Sequence, residues 1–317
     1  MEYRSLGNAG VKVSRICIGA GVRGQLDEDL FTKSIETAID LGCNFIDCAN
    51  VYGGQQAQAL LGRILQGKRD DLVVASKVGS RVGDGPNDEG LSRHHIMAQV
   101  ERTLRELQTD RIDLYYMHHP DPRTPLDETL RTMEELVRQG KVRYIGASNF
   151  TAAGVTELLW TADKLGLEKV ACLQNHYNLL HRDTAEPELF SVCERHNIGF
   201  TTYSATAVGL LTGQFRRGRQ MPEHAVWSNA QLESMLTPHV EQVVQTLVSI
   251  ADERGATPTQ VAIAWILNHE EVTAPIIGAE SPAYVREAMG ALEINLTSEE
   301  RVTLDKASLK DGPGGNL

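Results

Sequence analysis

The stretch NFIDCANVYGG, residues 44–54, begins as a short apolar run, Phe45-Ile46, stops on an acid, Asp47, and carries Tyr52 and two glycines just beyond it. A run of this kind reads as a strand buried on both faces that ends in a polar group. The same pattern recurs along the chain, in runs from Ile16 to Gly19, Leu72 to Lys77, Ile112 to His118, Val142 to Ser148, Ala171 to Asn175, Ile198 to Tyr203 and Val272 to Ile277. With Phe45 to Asp47 that makes eight. Between them lie segments with apolar residues three and four apart, such as Ile96, Val100, Leu104 and Leu107, which is the spacing of an amphipathic helix. Ser92, Thr151 and Asp183 stand where helices would begin, and Pro125, Pro258 and Pro282 suit a first helical turn.

Eight strand–helix repeats with continuous apolar strands predict an α/β fold in which a parallel sheet closes into a (β/α)8 TIM barrel. A doubly wound open sheet alternates in the same way. Its dinucleotide fingerprint is missing, because GAGVRG, Gly19 to Gly24, runs into polar residues rather than a helix. No linker divides the chain, so residues 1–317 read as a single domain, with a flexible tail at 310–317. One connection is unusually long. After Tyr203 a loop at about 205–238 precedes the next amphipathic helix, and loops of such length in compact domains tend to be functional.

Acids exceed bases by 42 to 31, for a formal charge of -11, which disfavours nucleic acid as a partner. Five cysteines, Cys17, Cys43, Cys48, Cys172 and Cys193, sit mostly in apolar runs without CxxC spacing and read as reduced, buried thiols. No segment reaches the apolar length of a membrane helix and no signal-like h-region opens the chain, so a cytoplasmic protein without membrane contact is expected.

In a barrel the chemistry sits at the C-terminal ends of the strands. The runs end at Asp47, with Tyr52 in the following loop, at Lys77, at His118-His119, at Ser148-Asn149, at Gln174-Asn175 and at Tyr203-Ser204. Each alone has an ordinary reading as a turn, cap or solvated residue. Six polar strand ends in succession do not. A lysine beside a tyrosine stabilises the phenolate, and a buried aspartate keeps that lysine charged, which together make a phenolic acid and base. A neighbouring histidine can donate a hydrogen bond to a carbonyl oxygen as charge builds there. No serine or cysteine nucleophile is paired with a base, and no cluster has metal-ligand spacing. Protonation of an alkoxide is the natural use, and the hydride that must accompany it requires a cofactor.

These motifs, together with LGNAGVKVSRICIGAG, SKVG, RTLRELQTDRIDLYYMHHPDP, GKVRYIGASNF, LQNHYNLL, GLLTGQ and PIIGAESPAYVREAMGAL, make the chain resemble the aldo-keto reductases over nearly its whole length. The resemblance implies a barrel that binds a nicotinamide cofactor without a Rossmann fold. It implies a catalytic tetrad of Tyr52, Asp47, Lys77 and His118, with Tyr52 as proton donor. It further implies that Ser148, Asn149 and Gln174 bind the carboxamide and that Tyr203 stacks on the nicotinamide. Backbone around Ser204, Ala205, Thr206, Gly209 and Leu211 would wrap the pyrophosphate, and Gly278, Glu280, Tyr284 and Glu287 would contact the rest of the cofactor.

The chain departs from the family pattern in places. Ser204-Ala205-Thr206 replaces serine-proline-leucine, Gln214 replaces a lysine, and Ala288 replaces an asparagine. Gly278, Ala279, Glu280, Ser281 and Tyr284 stand where a cation or small hydroxyl usually meets the 2'-phosphate, and the Glu280 carboxylate would repel phosphate yet accept from a free ribose diol. NADP(H) is favoured over NAD(H) on family grounds, with Arg216, Arg217 or Arg219 as replacement phosphate ligands. Gly21 stands where relatives place a large aromatic, which implies an open pocket and a bulky carbonyl or alcohol substrate. Arg23, Asn50, His119 and Trp227 are the other pocket candidates. Two further readings are a cofactor-binding regulatory subunit like the potassium-channel β-subunits, and a metal-dependent sugar isomerase, for which Asp47 and His118 supply too few ligands.

Overall fold

The computed structural model describes residues 1–21, 26–216 and 228–309. Arg23, Arg217, Arg219, Trp227 and the tail 310–317 lie outside the described residues.

All eight predicted strands form, with ends moved by at most a residue. They are β1 Cys17–Gly19, β2 Phe45–Asp47, β3 Val73–Val78, β4 Ile112–Met117, β5 Val142–Ser148, β6 Cys172–His176, β7 Gly199–Tyr203 and β8 Val272–Gly278. They pair in parallel and in sequence order, and β8 pairs with β1 to close the barrel. This is the (β/α)8 barrel that the alternation implied. A hairpin, Tyr3–Ser5 with Lys12–Ser14, precedes it. Its Leu6 and Val13 pack with Cys17, Phe45, Val73, Leu114 and Ala274, so the hairpin plugs the end of the barrel away from the candidate site.

The strand period of two fixes which side chains enter the barrel. Phe45, Val73 with Ala75, Leu114 with Tyr116, and Cys172 lie in this interior cluster. Two residues further along the same strands come Asp47, Lys77, His118 and Gln174. The alternate residues, among them Ile18, Ile46, Val74, Tyr115, Ile145 and Leu173, belong to the larger cluster formed with the surrounding helices. A one-residue slip in any strand would turn its functional side chain out of the mouth and its apolar partners out of the core. Both packing and chemistry therefore hold one register.

Arg15, just before β1, is 2% exposed and has no carboxylate partner among the described residues. Its guanidinium donates to the carbonyls of Val272 at 2.6 Å, Thr273 at 2.8 Å and Leu267 at 2.6 Å, tying the seam between β1 and β8. Burial pushes its pKa down to about 10, and the three charge-assisted bonds offset part of that desolvation.

Ser92 and Thr151 cap helices as expected, each accepting from a backbone N–H three residues on. Pro258 and Pro282 occupy first turns, whereas Pro125 is itself the residue before the helix Leu126–Arg138. Asp183 stands one residue before Thr184, which precedes a π-helical turn, Ala185–Leu189, that leads directly into the helix Phe190–His196. Within the long connection after β7 the chain forms a 3-10 segment, Ala207–Thr212, and a short helix, Asn229–Met235, before the helix Pro238–Arg254. All five cysteines are buried and unpaired. No helix among the described residues is long and apolar enough to cross a membrane.

Candidate active site

Two strand ends and one loop meet at a single ammonium group. Lys77, at the end of β3, is fully buried. Its Nζ donates to Asp47 Oδ2 at 2.5 Å, to the Cys48 carbonyl at 3.0 Å and to the Tyr52 hydroxyl at 3.0 Å. All three of its hydrogens are thus engaged. Gln174 Nε2 donates to the other Asp47 oxygen at 2.9 Å, which fixes the carboxylate from β6. Burial alone would pull Lys77 down, but Asp47 and Tyr52 outweigh it and hold the ammonium above its ordinary range.

Tyr52 follows β2 by five residues, and the turn that carries it passes through Gly53 and Gly54 at φ 54° and 62°, where glycine meets no Cβ penalty. Because its oxygen accepts from Lys77, its own hydrogen is left to point elsewhere. The anticipated lowering of its pKa is not what results in this state. Burial raises the phenol above its usual range, and Lys77 opposes that without cancelling it.

His118, just past β4, stands edge-on to Tyr52 with ring centroids 6.0 Å apart and planes at 78°. Burial, then the charge on Lys77 and the neighbour His119, push it down to about 2, so its ring is neutral across the physiological range. His119 stacks on it at 4.5 Å and is exposed at the surface of the mouth.

The carboxamide candidates sit beside this group. Ser148 and Gln174 are buried at the ends of β5 and β6, which are register neighbours. Asn149 is left-handed at φ 64°. It bridges the site: its Nδ2 donates to the His118 carbonyl at 2.9 Å, and its Oδ1 accepts from Tyr203 at 2.7 Å. Gln174 Oε1 makes no hydrogen bond to the described residues and is not sealed from the mouth. The Tyr203 ring is stacked on one side by His176 at 5.1 Å and 8°, and His176 in turn by His181 at 4.0 Å. Sequence reasoning missed this backing. Its one signal was His176 directly after Asn175 in LQNHYNLL.

After Tyr203 the backbone turns left-handed repeatedly, at Ser204 (59°), Ala207 (47°), Val208 (59°) and Gly209 (90°). Positive φ is costly for alanine and more so for valine, and such sequences of backbone form concavities suited to anions. The expected donors are corrected in part. The amides of Gly209 and Leu211 already donate to the Thr206 carbonyl, and that of Ala207 to Ser204. The Leu211 and Ala205 side chains are buried in the core. Ser204 is half-buried at this turn, whereas Thr206 is buried and is a hydrogen-bond partner of the Tyr284 hydroxyl. Burial, then the charge of Glu280, pushes that phenol up. The Glu280 carboxylate folds over Gly278 at the end of β8, in the space a Cβ there would need. Glu287 is half-buried one turn further on.

Of the pocket candidates, Gly21 faces the site: a Cβ there would lie 3.2 Å from Cε2 of Tyr52. Asn50 does not line an open pocket. It is fully buried and donates to Gln99 Oε1 at 3.0 Å, in a polar layer behind the Tyr52 loop.

A barrel whose strand ends bring a tyrosine, lysine, aspartate and histidine together can be compared with known proteins directly. The family model described as the Aldo/keto reductase family matches residues 15–309.

The chain belongs to the aldo/keto reductase family.

Family members are in general NAD(P)(H)-dependent oxidoreductases. A Bacillus subtilis (strain 168) protein named "Uncharacterized oxidoreductase YrpG" is 36% identical over 99% of this chain and 98% of its own length. A "Probable voltage-gated potassium channel subunit beta" of Arabidopsis thaliana is 35% identical over 93% of this chain and 92% of its own. Its namesake from Oryza sativa subsp. japonica is 33% identical over 93% and 92%. The aldo/keto reductase barrel thus occurs here with relatives of both kinds.

Proposed function

We propose that the protein interconverts an aldehyde or ketone and the corresponding alcohol, with Tyr52 as general acid in reduction and general base in oxidation. The observation that carries this reading is the Lys77 ammonium shared by Asp47 and Tyr52. Lys77 fills the lone pair of the phenol on the protein side, so the phenolic hydrogen is directed to whatever oxygen lies in the mouth. As that proton leaves, the ammonium 3.0 Å away stabilises the phenolate. Asp47, held by Gln174, keeps the ammonium in place. The neutral His118 ring orients the carbonyl oxygen.

The residues fit a nicotinamide cofactor. Tyr203 offers a ring backed by His176, Gln174 has an uncommitted carbonyl, and the left-handed turn after Tyr203 offers a concave backbone. Bound there in its reduced form, the cofactor supplies the hydride. NADP(H) is the form this reading takes. In support, Arg216 has a buried Nε with no acceptor among the described residues; Glu280 is the feature that would instead favour a free ribose diol. The candidate substrates are sugars, their keto derivatives and bulky natural-product carbonyls, in keeping with Gly21 at the mouth.

The test is titration with NADPH and NADH by tryptophan fluorescence, followed by turnover of 4-nitrobenzaldehyde by the wild type and Tyr52→Phe. We expect tighter binding of NADPH, unchanged by the substitution, and a fall in kcat of about 10²–10⁴-fold. Failure of the wild type to bind either nucleotide would refute the reading.

The channel-subunit relatives support a second reading, a cofactor-binding regulatory subunit. It is favoured if the nucleotide binds tightly while a broad carbonyl panel turns over only at rates that Tyr52→Phe leaves unaltered.

A further inference from the structure

The loop after β3 contributes a group that the mechanism above does not use. Gly79 has φ 125°, a conformation that residues with a Cβ rarely adopt. The next residue, Ser80, is turned toward the mouth, and its Oγ lies 3.0 Å from Nδ1 of His118. Ser80 is half-buried, and its hydroxyl has no other hydrogen-bond partner among the described residues. On the opposite side of the ring, Nε2 of His118 makes no hydrogen bond to the described residues and is not among the sealed polar atoms.

A neutral imidazole has one N–H and one lone pair, so its tautomer decides whether it can donate to a ligand. Two arrangements share the 3.0 Å contact. If Nδ1 carried the hydrogen it would donate to Ser80, leaving the serine hydrogen without a protein acceptor and aiming a lone pair into the mouth. If the serine donates, its only hydrogen is satisfied by Nδ1, and the imidazole hydrogen sits on Nε2. Each leaves one hydrogen for the mouth, and only the second places it on the ring, where a donor to a carbonyl oxygen is needed.

We infer that Ser80 is a positioning residue, whose hydroxyl donates to His118 Nδ1 and holds the imidazole proton on Nε2, so that the ring presents a donor to a carbonyl oxygen. The inference rests on the proposed role of His118 as the group that orients that oxygen. The same geometry explains why a neutral ring suffices. Burial and the nearby Lys77 charge keep it uncharged, and Ser80 makes the neutral form a donor rather than an acceptor. A ligand with a hydrogen-bond acceptor at this point is favoured over one with a donor.

The test is long-range ¹H–¹⁵N NMR of the intact protein labelled at histidine, with the His118 signals assigned by difference from His118→Asn. Wild type is expected to show a pyridine-type Nδ1 and a pyrrole-type Nε2. Ser80→Ala should populate the other tautomer and lower kcat about five- to tenfold, the rate equivalent of one neutral hydrogen bond, with nucleotide affinity unchanged. Ser80→Thr keeps the hydroxyl and should restore both signals and rate. A protonated Nδ1 in wild type, or identical tautomers in wild type and Ser80→Ala, would overturn the inference. If the tautomer moves as expected but His118→Asn turns over like wild type, the Ser80 assignment stands and the carbonyl-orienting role of His118 fails.

Discussion

Breaking the Lys77–Asp47 pair from either side should destabilise the protein, and breaking it from both sides should largely restore it. The two side chains are 0% and 4% exposed, and removing one partner of a buried pair costs about 3–5 kcal/mol because the other charge stays buried alone. An unfolding entropy of about 2.1 cal/mol/K per residue over 317 residues gives about 0.7 kcal/mol/K, so Lys77→Met or Asp47→Asn should each lower Tm by about 4–7 °C. In the double variant the methionine keeps the aliphatic stem, and the introduced asparagine amide still offers an oxygen to Gln174. Its Tm should fall by no more than about 3 °C, since neutral replacement of a buried pair is often harmless. The coupling between the two substitutions is then at least about 4 kcal/mol. Thermal unfolding followed by circular dichroism at pH 7 measures it. The raised pKa of Lys77 means that this contribution is fully present below the ordinary lysine value of about 10.4 and is lost only as pH rises beyond it. A double variant that loses as much as the two singles added together would refute the idea that each charge is retained for the other. All three variants should lack turnover.

His118 makes an opposite prediction in acid. Its folded-state pKa lies far below the unfolded value of about 6.5, at about 2. Stability present above pH 6.5 should therefore fall by roughly 2–3 kcal/mol by pH 4.5, and urea titrations of His118→Asn across that range should show a flatter profile. At the mouth, Gly21→Val would press a side chain against a ring already 3.2 Å from the new Cβ. It should reduce kcat about 10- to 100-fold through displacement of Tyr52 while leaving nucleotide affinity intact, and stopped-flow single turnover would separate the two; unchanged kcat would show that the ring yields freely. Arg15→Leu removes three charge-assisted bonds at the barrel seam and should cost about 3–5 kcal/mol in urea unfolding; a loss below about 1 kcal/mol would mean that water replaces the guanidinium.

The barrel was legible because its strands are mostly buried on both faces and therefore mostly apolar, from Phe45-Ile46 to Val272–Ile277, with exposed Arg143 in β5 an exception. Its functional ends were legible because a polar residue closing such a run has no packing reason to be there. The hairpin Tyr3–Ser5 and Lys12–Ser14 escaped notice, being three residues per strand and only partly buried. Asp183 looked like a cap by composition, but the chain winds into a π-helical turn whose preceding residue is Thr184. Asn50 was misplaced because a loop position does not reveal which way a side chain faces, and this one turns inward to Gln99. The amides of Gly209 and Leu211 illustrate the same limit for backbone: glycine content signals tight turning, while the partner of each N–H is set only once the turn exists. Ser80 left a faint trace in the adjacent glycine, and nothing in the linear order tied it to a histidine 38 residues away.

The closure of β8 against β1 has a consequence for how the molecule is made. Synthesis proceeds from the N-terminus at about 5–20 residues per second, so β1, complete at Gly19, waits some 13–50 seconds for the strand ending at Gly278 to emerge. Throughout that interval the nascent sheet has an open border. That border is only three residues long, Cys17–Gly19, and a strand so short offers little template for a foreign chain. Arg15 waits beside it with its donors in water, and finds the carbonyls of Leu267, Val272 and Thr273 only when the last repeat arrives. Any truncation that removes β8 should therefore leave the sheet open between β7 and β1 and the Arg15 guanidinium without these acceptors.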